Sequence, residues 1–318
     1  MFVREWHDGW EVDAPLLVRR AEARPAEGVG ESLHVELGDR TGVAPLTLSA
    51  DVPAARELCR PGTVVWVRGR YASGERGPSL ALVAPLRAAA ESEYDPAALF
   101  DGPPHPAGQM EADLRELVAT VQCPHLRGLL DAVLGEHSPL WPLYRDAPAA
   151  KRYHQAYRHG LLEHSLSVAQ GVHSACGAFP GIDHDVAVTG ALLHDIGKLD
   201  AYTSGPGPID MTDLGRLQGE IPLGYYRVRR LIEGLPGFPP DTAAAVLHII
   251  LAHHGSLEHG SPVVPCTREA TLVHMIDNLG GKLGSFDRLE KELPAGATWS
   301  SWDRALGSGA YFATRRAA

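Results

Sequence analysis

Apolar residues along the chain follow two different spacings. Between residues 12 and 88, short runs rich in Val and Leu partly alternate apolar with polar positions, and Gly, Pro and Asp separate the runs. Such a pattern is typical of β-strands that are joined by turns. It favours a small β-barrel, with five strands expected at 16–23, 32–39, 43–50, 62–71 and 79–87.

From about residue 109 the apolar residues recur at helical spacing. In the segment MEADLRELVATV, Met110, Leu114 and Leu117 lie close to one helix face. Further helices are predicted at 126–135, 149–176, 185–196, 222–234, 241–254 and 268–283. We therefore expect a multidomain α and β protein, with a small β-barrel at 1–90 followed by an all-α helical bundle at 109–318.

Two segments fit neither pattern. Residues 91–108 are small, acidic and rich in proline, which indicates a linker. The tail from residue 285 has no clear period. Its aromatic residues are expected to pack rather than to bind a ligand, because large apolar side chains mostly serve burial; they are Trp299, Trp302, Tyr311 and Phe312.

The composition is that of an ordinary globular protein. The length of 318 residues suggests about two domains, and 44% hydrophobic with 21% charged residues is typical of soluble proteins. Neither a secretory signal nor an apolar run of membrane-spanning length is visible, so we expect no membrane partner. The four cysteines lie far apart and form no CxxC motif, which indicates reduced thiols and a cytoplasmic protein.

The net charge of −10 argues mildly against a nucleic-acid partner, because contacts with phosphate require Lys and Arg. Part of the acidic excess, however, comes from residues that could bind cations, and a bound cation changes the local charge. The charge therefore leaves nucleic-acid binding open.

Histidine and aspartate interrupt the apolar helical runs of the second half of the chain. Burying such groups without a partner costs free energy, and one divalent metal can satisfy several of them together. Mixed His and Asp ligands suit manganese, iron, nickel, cobalt or zinc. Core histidines bonded to the backbone are the alternative, but the clustering favours a metal site. The candidate ligands are His164, His194, Asp195, His253, His254 and Asp277.

The sequence around these candidates resembles a known family. The string ALLHDIGK at 191–198 contains the His-Asp doublet for which the HD-domain metal-dependent phosphohydrolases are named. The stretches 147–168, 210–221 and 250–283 are similar to the YhaM-type 3′→5′ exoribonucleases, and the most specific string is ILAHHGSLEHGSPVVP in the last stretch. The resemblance extends over about residues 12–285.

This resemblance implies an OB-fold in the N-terminal barrel and an HD domain in the helical bundle. It also implies two divalent ions, with manganese expected first and iron, cobalt, nickel or zinc as alternatives. The ligands implied for the first ion are His164, His194, Asp195 and Asp277. For the second ion they are His253, His254 and a bridging Asp195.

Two positions depart from the family pattern. The family usually has histidine where this chain has Glu220. Glutamate can also ligate a metal, but it adds negative charge, so the second ion could be weaker, different or absent. A solvated Glu220 is the alternative. Gly280 and Gly281 stand where the family usually has Asp-Ala, which puts a carboxylate near the ligands in doubt.

Further residues are candidates for catalysis and for contact with the substrate. Lys198 could join His194 and Asp195 in catalysis by contacting a phosphate, or could be a solvated lysine near a helix end. Arg227 and Arg230 share a helix face that could line a groove for a single strand, or could be solvated. Residues that resemble the family's substrate residues are Tyr153, His154 and Arg158. In the barrel, the residues that could stack on bases or pack in the core are Trp66 and Tyr71.

The expected function is a metal-dependent phosphodiesterase that removes nucleotides from the 3′ end of single-stranded RNA, with single-stranded DNA as a further candidate substrate. The 3′→5′ direction is implied by the resemblance alone. Two alternatives stay open: an HD-type phosphohydrolase of small or cyclic nucleotides, and a non-catalytic single-strand binder. Self-association into a homo-oligomer is also left open.

Overall fold

The computed structural model describes residues 2–26, 30–74, 77–151, 155–203, 209–291, 293 and 297–313. These residues divide into two compact units, one ending at Asp101 and the other beginning at Gly102. The division falls inside the segment that the composition indicates as a linker. Each unit has its own buried apolar core.

The N-terminal unit contains all five predicted strands and one short addition. The strands are β1 Glu11–Ala26, β2 Gly30–Asp39, β3 Gly42–Leu48, β4 Val64–Gly74, β5 Gly77–Leu82 and β6 Arg87–Ala88. A helix that the sequence analysis did not predict, α1 (Val52–Leu58), lies between β3 and β4. Asp51 accepts a hydrogen bond from the Ala54 amide at the start of this helix, as a capping residue does.

The series of paired strands in this unit begins and ends at β1. β1 pairs with β2 and β2 with β3, both antiparallel, while β3 pairs with β5 in parallel. β5 is antiparallel to β4, and β4 is antiparallel to the first half of β1. Alternate side chains point inward; on β2 they are Leu33, Val35 and Leu37, each at most 1% exposed.

The first part of the predicted linker packs on this sheet. Residues Pro96–Leu99 form a short helix, α2, and Leu99 is buried against Leu17 and Val64. Arg19 donates hydrogen bonds to the Asp101 carboxylate at 2.6 Å and to the Leu99 carbonyl at 3.2 Å. The composition of this segment does not predict the packing, because the contacts depend mainly on one buried leucine, Leu99, and on the pair between Arg19 and Asp101.

The second unit is mainly helical. Its helices are α3 Ala107–Ala119, α4 Pro124–Leu134, α5 Trp141–Asp146, α6 Gly160–Cys176, α7 His184–Leu193, α8 Lys198–Ala201, α9 Asp213–Gln218, α10 Glu220–Glu233, α11 Pro240–Ala252 and α12 Arg268–Lys291. Helix α7 packs against α6, α11 and α12, and this arrangement positions the site described below. No helix in the described part of the chain is long and apolar enough to cross a membrane.

The helix predicted at 149–176 is wrong over its first part, because α6 begins only at Gly160. His159 and Gln155 have φ values of +70° and +63°, in the left-handed region that a right-handed helix cannot include. The carbonyl of Gln155 also approaches Gly160 so closely that a Cβ there would lie 2.1 Å from the oxygen. Apolar spacing does not reveal such a turn.

The prediction of an all-α second unit is wrong at its end. Strands β7 (Trp299–Asp303) and β8 (Ser308–Tyr311) pair as an antiparallel hairpin. Aromatic residues favour strands, and Gly307, with a φ of +67°, supplies the turn between them. Trp299, Trp302 and Tyr311 are 61%, 67% and 56% exposed, so these three side chains are not buried as expected, although the rings of Trp299 and Tyr311 contact each other with their centroids 5.1 Å apart.

Candidate metal centre

Four of the predicted ligands come from three helices that pack together. His164 lies within α6 and Asp277 lies within α12. His194 is the C-cap residue directly after α7, and Asp195 follows it. Because α7 contacts both of the other helices, these side chains reach one small volume.

The ring nitrogen Nε2 of His164 is the centre of this first group. It lies 3.2 Å from Nε2 of His194, 3.2 Å from Oδ2 of Asp195 and 3.1 Å from Oδ1 of Asp277. Ligands that surround one ion at about 2.1 Å are about 3.0 to 3.4 Å apart, so the spacing is that of a metal site. Ligand atoms of His164, His194 and Asp277 all lie within 4.8 Å of one another.

A second group adjoins the first at Asp195. Oδ1 of Asp195 lies 3.5 Å from Nε2 of His253, the C-cap residue directly after α11. Nε2 of His254 lies 3.7 Å from Oε1 of Glu220, the first residue of α10. The two oxygens of one carboxylate therefore face two different sets of ligand atoms.

Backbone carbonyls fix the orientation of three of the imidazole rings. Nδ1 of His194 contacts the Ala191 carbonyl at 2.7 Å, and Nδ1 of His253 contacts the Ile250 carbonyl at 2.8 Å. Nδ1 of His254 contacts the His259 carbonyl at 2.9 Å. A carbonyl only accepts, so Nδ1 carries the proton in each ring. In the neutral form of each ring the lone pair is then on Nε2, which is the form that binds a metal.

Two atoms of the site are buried without a hydrogen-bond partner among the described residues. They are Oδ1 of Asp195 and Nε2 of His253, in residues that are 2% and 1% exposed. Each such atom costs about 1 to 3 kcal/mol unless something pairs with it. A cation between these two acceptors would remove both penalties, so the residues fit a divalent metal.

Charge is balanced tightly around the Asp195 carboxylate. Burial alone would raise its pKa, but Lys198, His194 and a hydrogen bond from His164 hold the pKa of Asp195 well below its usual range. Burial likewise disfavours the charged form of His164, yet hydrogen bonds to Asp195 and Asp277 raise the pKa of His164 to about 9. Without a metal, a proton on His164 therefore compensates the two carboxylates.

Lys198 is paired rather than solvated. Its Nζ donates to Oδ2 of Asp195 at 2.6 Å, and its side chain is 15% exposed. Burial lowers the pKa of Lys198, but the Asp195 charge outweighs burial and the net shift is upward. The ammonium group thus remains charged beside the ligands.

Gly197 explains how Glu220 comes close to the site. A Cβ on Gly197 would lie 1.9 Å from the Glu220 carbonyl oxygen and 2.5 Å from the Gly224 amide nitrogen. Only glycine lets the first turn of α10 pack against the backbone after the His-Asp doublet. Gly280 and Gly281, in contrast, have no atom within 4 Å of an added Cβ, so side chains there would meet open space.

One residue that contributes to the site was not singled out from the sequence. Nδ1 of His274, on α12, donates to the His253 carbonyl at 2.7 Å. Its ring lies against Gly255, where an added Cβ would be 2.1 Å from Cε1, and Gly255 has a φ of +83°. His274 therefore holds the turn that presents His253 and His254. Its position three residues before Asp277 on the same helix is the sequence feature that could have identified it.

We expect His274→Ala to lower the hydrolysis rate and the metal affinity about 10- to 100-fold, as is typical when a residue that orients metal ligands is lost. Asn278→Ala, an exposed change on the same helix, is the control. Metal titration and steady-state rates measure the effect. Wild-type affinity in His274→Ala would show that the turn does not depend on this contact.

The substrate candidates of the second unit have varied surroundings. Arg227 forms a bidentate pair with Asp200, with Nη2 2.7 and 2.6 Å from the two carboxylate oxygens. Arg158 is 68% exposed and donates to Asp146 at 2.9 Å. Arg230 is exposed on α10. Tyr153 and His154 lie outside the described residues.

The two aromatic candidates of the N-terminal unit are both partly buried. Nε1 of Trp66 donates to Oδ1 of Asp13 at 2.6 Å, and the guanidinium of Arg87 lies 4.8 Å from the centre of a Trp66 ring. Tyr71 makes an edge contact with Trp6 and packs against the core of the sheet. Tyr71 therefore has a packing role, whereas Trp66 lies outside the core and has the Arg87 guanidinium over its ring.

Comparison with known proteins identifies the class of this site. The HD-domain family model matches residues 161–281, which include the predicted ligands of α6, α7, α10, α11 and α12. HD domains are metal-dependent, and the match, together with the relatives below, shows that the chain is a hydrolase.

Two relatives match a larger part of the chain than the family model does. One from Geobacillus sp. (strain WCH70), named 3'-5' exoribonuclease YhaM, is 28% identical over 288 residues, which is 90% of this chain and 87% of the relative. Another of the same name from Shouchella clausii (strain KSM-K16) is 28% identical over 298 residues, or 92% and 90% of the two chains. The resemblance to the YhaM-type exoribonucleases is thus confirmed. No solved structure matches the chain.

Proposed function

We propose that this protein is a metal-dependent 3′→5′ exonuclease that removes nucleotides from single-stranded RNA, with single-stranded DNA as a second candidate substrate. The observation that carries the proposal is the position of Asp195, whose two buried oxygens face two separate groups of ligand atoms. This arrangement supports two neighbouring ions, of which manganese is the first expectation and iron, cobalt, nickel or zinc are alternatives.

The ligands would divide between the two ions. His164, His194 and Asp277 would hold the first, His253, His254 and Glu220 the second, and Asp195 would bridge them. When bound, such ions lower the pKa of a water molecule and neutralise charge on a phosphate. Lys198 holds Oδ2 of Asp195 in place and keeps a positive charge next to the site.

The N-terminal unit would bind the nucleic-acid strand. Its ring of pairings, β1–β2–β3–β5–β4–β1, with α1 between β3 and β4, supports an OB-fold. OB-folds bind oligonucleotides across the face around the second and third strands. On the outer side of this face, Arg20 and Arg24 on β1 are both 57% exposed and both pair with Glu22, which lies opposite His34 on β2.

The decisive experiment is a digest of single-stranded RNA labelled at either end, with a panel of divalent metals. An exonuclease of this polarity releases mononucleotides from the 3′ end, so a 5′ label shortens stepwise while a 3′ label is freed at once. Cyclic nucleotides and single-stranded DNA are assayed in parallel. Turnover of cyclic nucleotides alone would favour a small-nucleotide phosphohydrolase, and tight binding without turnover would favour a non-catalytic binder.

Trp66→Ala tests base stacking by the N-terminal unit. Stacking contributes about 1 to 3 kcal/mol per base, so KM for long single strands should rise at least fivefold while kcat on short ones is unchanged. Trp302→Ala, which removes an exposed tryptophan of the second unit, is the control. Equal KM values for Trp66→Ala and wild type would remove Trp66 from the substrate surface.

The outer face of β1 is tested by salt. If Arg20 and Arg24 contact phosphates, the double change to alanine should reduce the slope of log affinity against log salt by about 1.4, since each contact with a single strand contributes about 0.7. Arg60→Ala, at the end of α1, is the control. An unchanged slope would show that Arg20 and Arg24 do not contact phosphates.

The cell compartment and the assembly state belong to this proposal as well. All four cysteines are unpaired, which fits a reducing compartment such as the cytoplasm. Sedimentation of the purified protein would show whether it is a homo-oligomer.

A further inference from the structure

A second cluster of histidines lies away from the candidate metal centre. His173 is near the end of α6 and His184 is the first residue of α7. Nδ1 of His173 is 2.8 Å from Nε2 of His184, and the two rings meet edge to face with centroids 5.1 Å apart. Neither residue belongs to the ligand set described above.

The carboxylate of Asp185 determines which nitrogen of His184 is free. Oδ2 of Asp185 accepts the backbone amides of Gln122 and Cys123 at 2.7 and 2.6 Å. Oδ1 accepts Nδ1–H of His184 at 2.9 Å. The proton of His184 is therefore on Nδ1, and its Nε2 is a lone pair that faces His173.

A carboxylate that orients a histidine whose other nitrogen is a lone pair is the arrangement found behind metal-binding histidines. Two imidazole nitrogens that bind one ion at about 2.05 Å are about 2.9 Å apart at a right angle and about 3.3 Å apart at the tetrahedral angle that zinc prefers, so the 2.8 Å of the present hydrogen bond would have to widen by a few tenths of an ångström. His173 is exposed, so its ring can take the tautomer with the proton on Nε2, where water accepts it. Binding an ion thus requires only a small rotation of one surface side chain.

We infer that His173 and His184 form a separate site for a borderline transition-metal ion such as zinc, nickel or copper, oriented by Asp185 and completed by water. Neutral imidazoles without a carboxylate ligand favour these ions over magnesium or manganese. A bound ion would join the end of α6 to the start of α7. Through Asp185 and the amides of Gln122 and Cys123 it would also join both to the start of α4.

The inference is tested with zinc chloride and the full-length protein. Zinc bound per chain is measured by equilibrium dialysis and elemental analysis in wild type, His173→Gln, His184→Gln and a control, His137→Gln, which changes an exposed histidine of the same unit. We expect each of the first two variants to lose one zinc per chain relative to wild type and to the control. Manganese binding and hydrolysis in manganese should be unchanged in His173→Gln.

Asp185→Asn provides an independent measurement. It keeps both histidines but weakens the orientation of His184, so the zinc affinity of this site should fall about tenfold. With copper(II), the electron paramagnetic resonance signal that is present in wild type and absent from His173→Gln should show two nitrogen ligands. Equal zinc content in wild type and His173→Gln, or an equal loss in His137→Gln, would overturn the inference. The zinc and copper measurements do not depend on the proposed nuclease activity.

Discussion

Asp195→Asn should reduce hydrolysis by at least about a thousandfold, because one carboxylate serves both groups of ligands and losses of such residues commonly reach several orders of magnitude. The amide keeps the shape of the side chain but supplies one neutral oxygen instead of two charged ones. It also leaves the buried ammonium of Lys198 without its 2.6 Å partner. We therefore expect a loss of bound metal as well as of rate.

A companion variant separates loss of the site from loss of the fold. His194→Ala removes a ligand of the first group without leaving Lys198 unpaired, and it should lose activity to a similar extent. Asp213→Asn, an exposed change on α9, is the matched control. Circular dichroism and elemental analysis accompany the rates. Activity within about tenfold of wild type in metal-loaded Asp195→Asn would refute the proposed centre.

The candidate ligands could be recognised in the sequence because their pattern is local. A histidine or aspartate inside an apolar helical run needs a partner, and the helices carry the spacing that brings such residues to one face. His164, His194 and Asp277 were identified in this way, and the structure brings their ligand atoms together. The strands of the N-terminal unit could be predicted for the same reason, because the alternation of apolar and polar residues between turns is also a local pattern.

Contacts that depend on tertiary packing could not be predicted. The pairing of Lys198 with Asp195 requires that both be removed from water, whereas the sequence alone is equally compatible with a solvated lysine. The bidentate pair between Arg227 and Asp200 joins α10 to α8, a contact that no spacing along α10 reveals. The contact of His274 with the His253 carbonyl likewise exists only once α11 and α12 pack.

Glu220 is one of the positions where the sequence departs from the pattern that the resemblance implies, and the one for which the structure gives the clearest reason for a test. The side chain is 22% exposed, and its Oε1 lies 3.7 Å from Nε2 of His254. Nδ1 of His254 is bonded to a carbonyl, so its lone pair is available on the side of Glu220. A solvated surface glutamate would have no reason to face an unprotonated imidazole.

Glu220→Ala should lower the metal content by about one ion per chain and reduce kcat by at least tenfold, because the second ion would lose its only carboxylate besides the bridge. Glu220→His should retain the ion and shift the preference from manganese toward zinc, since imidazole favours softer ions than carboxylate does. Glu233→Ala, at the other end of α10 and 51% exposed, should resemble wild type in both respects.

Elemental analysis of the four proteins, paired with rates in manganese and in zinc, distinguishes a ligand from a bystander. A ligand predicts that metal content and rate fall together in Glu220→Ala and that only the metal preference changes in Glu220→His. A purely electrostatic role predicts that both variants lose rate with full metal content, because both remove the negative charge. Full metal content and a wild-type rate in Glu220→Ala would mean that His253, His254 and Asp195 hold the second ion alone, or that the centre uses a single ion.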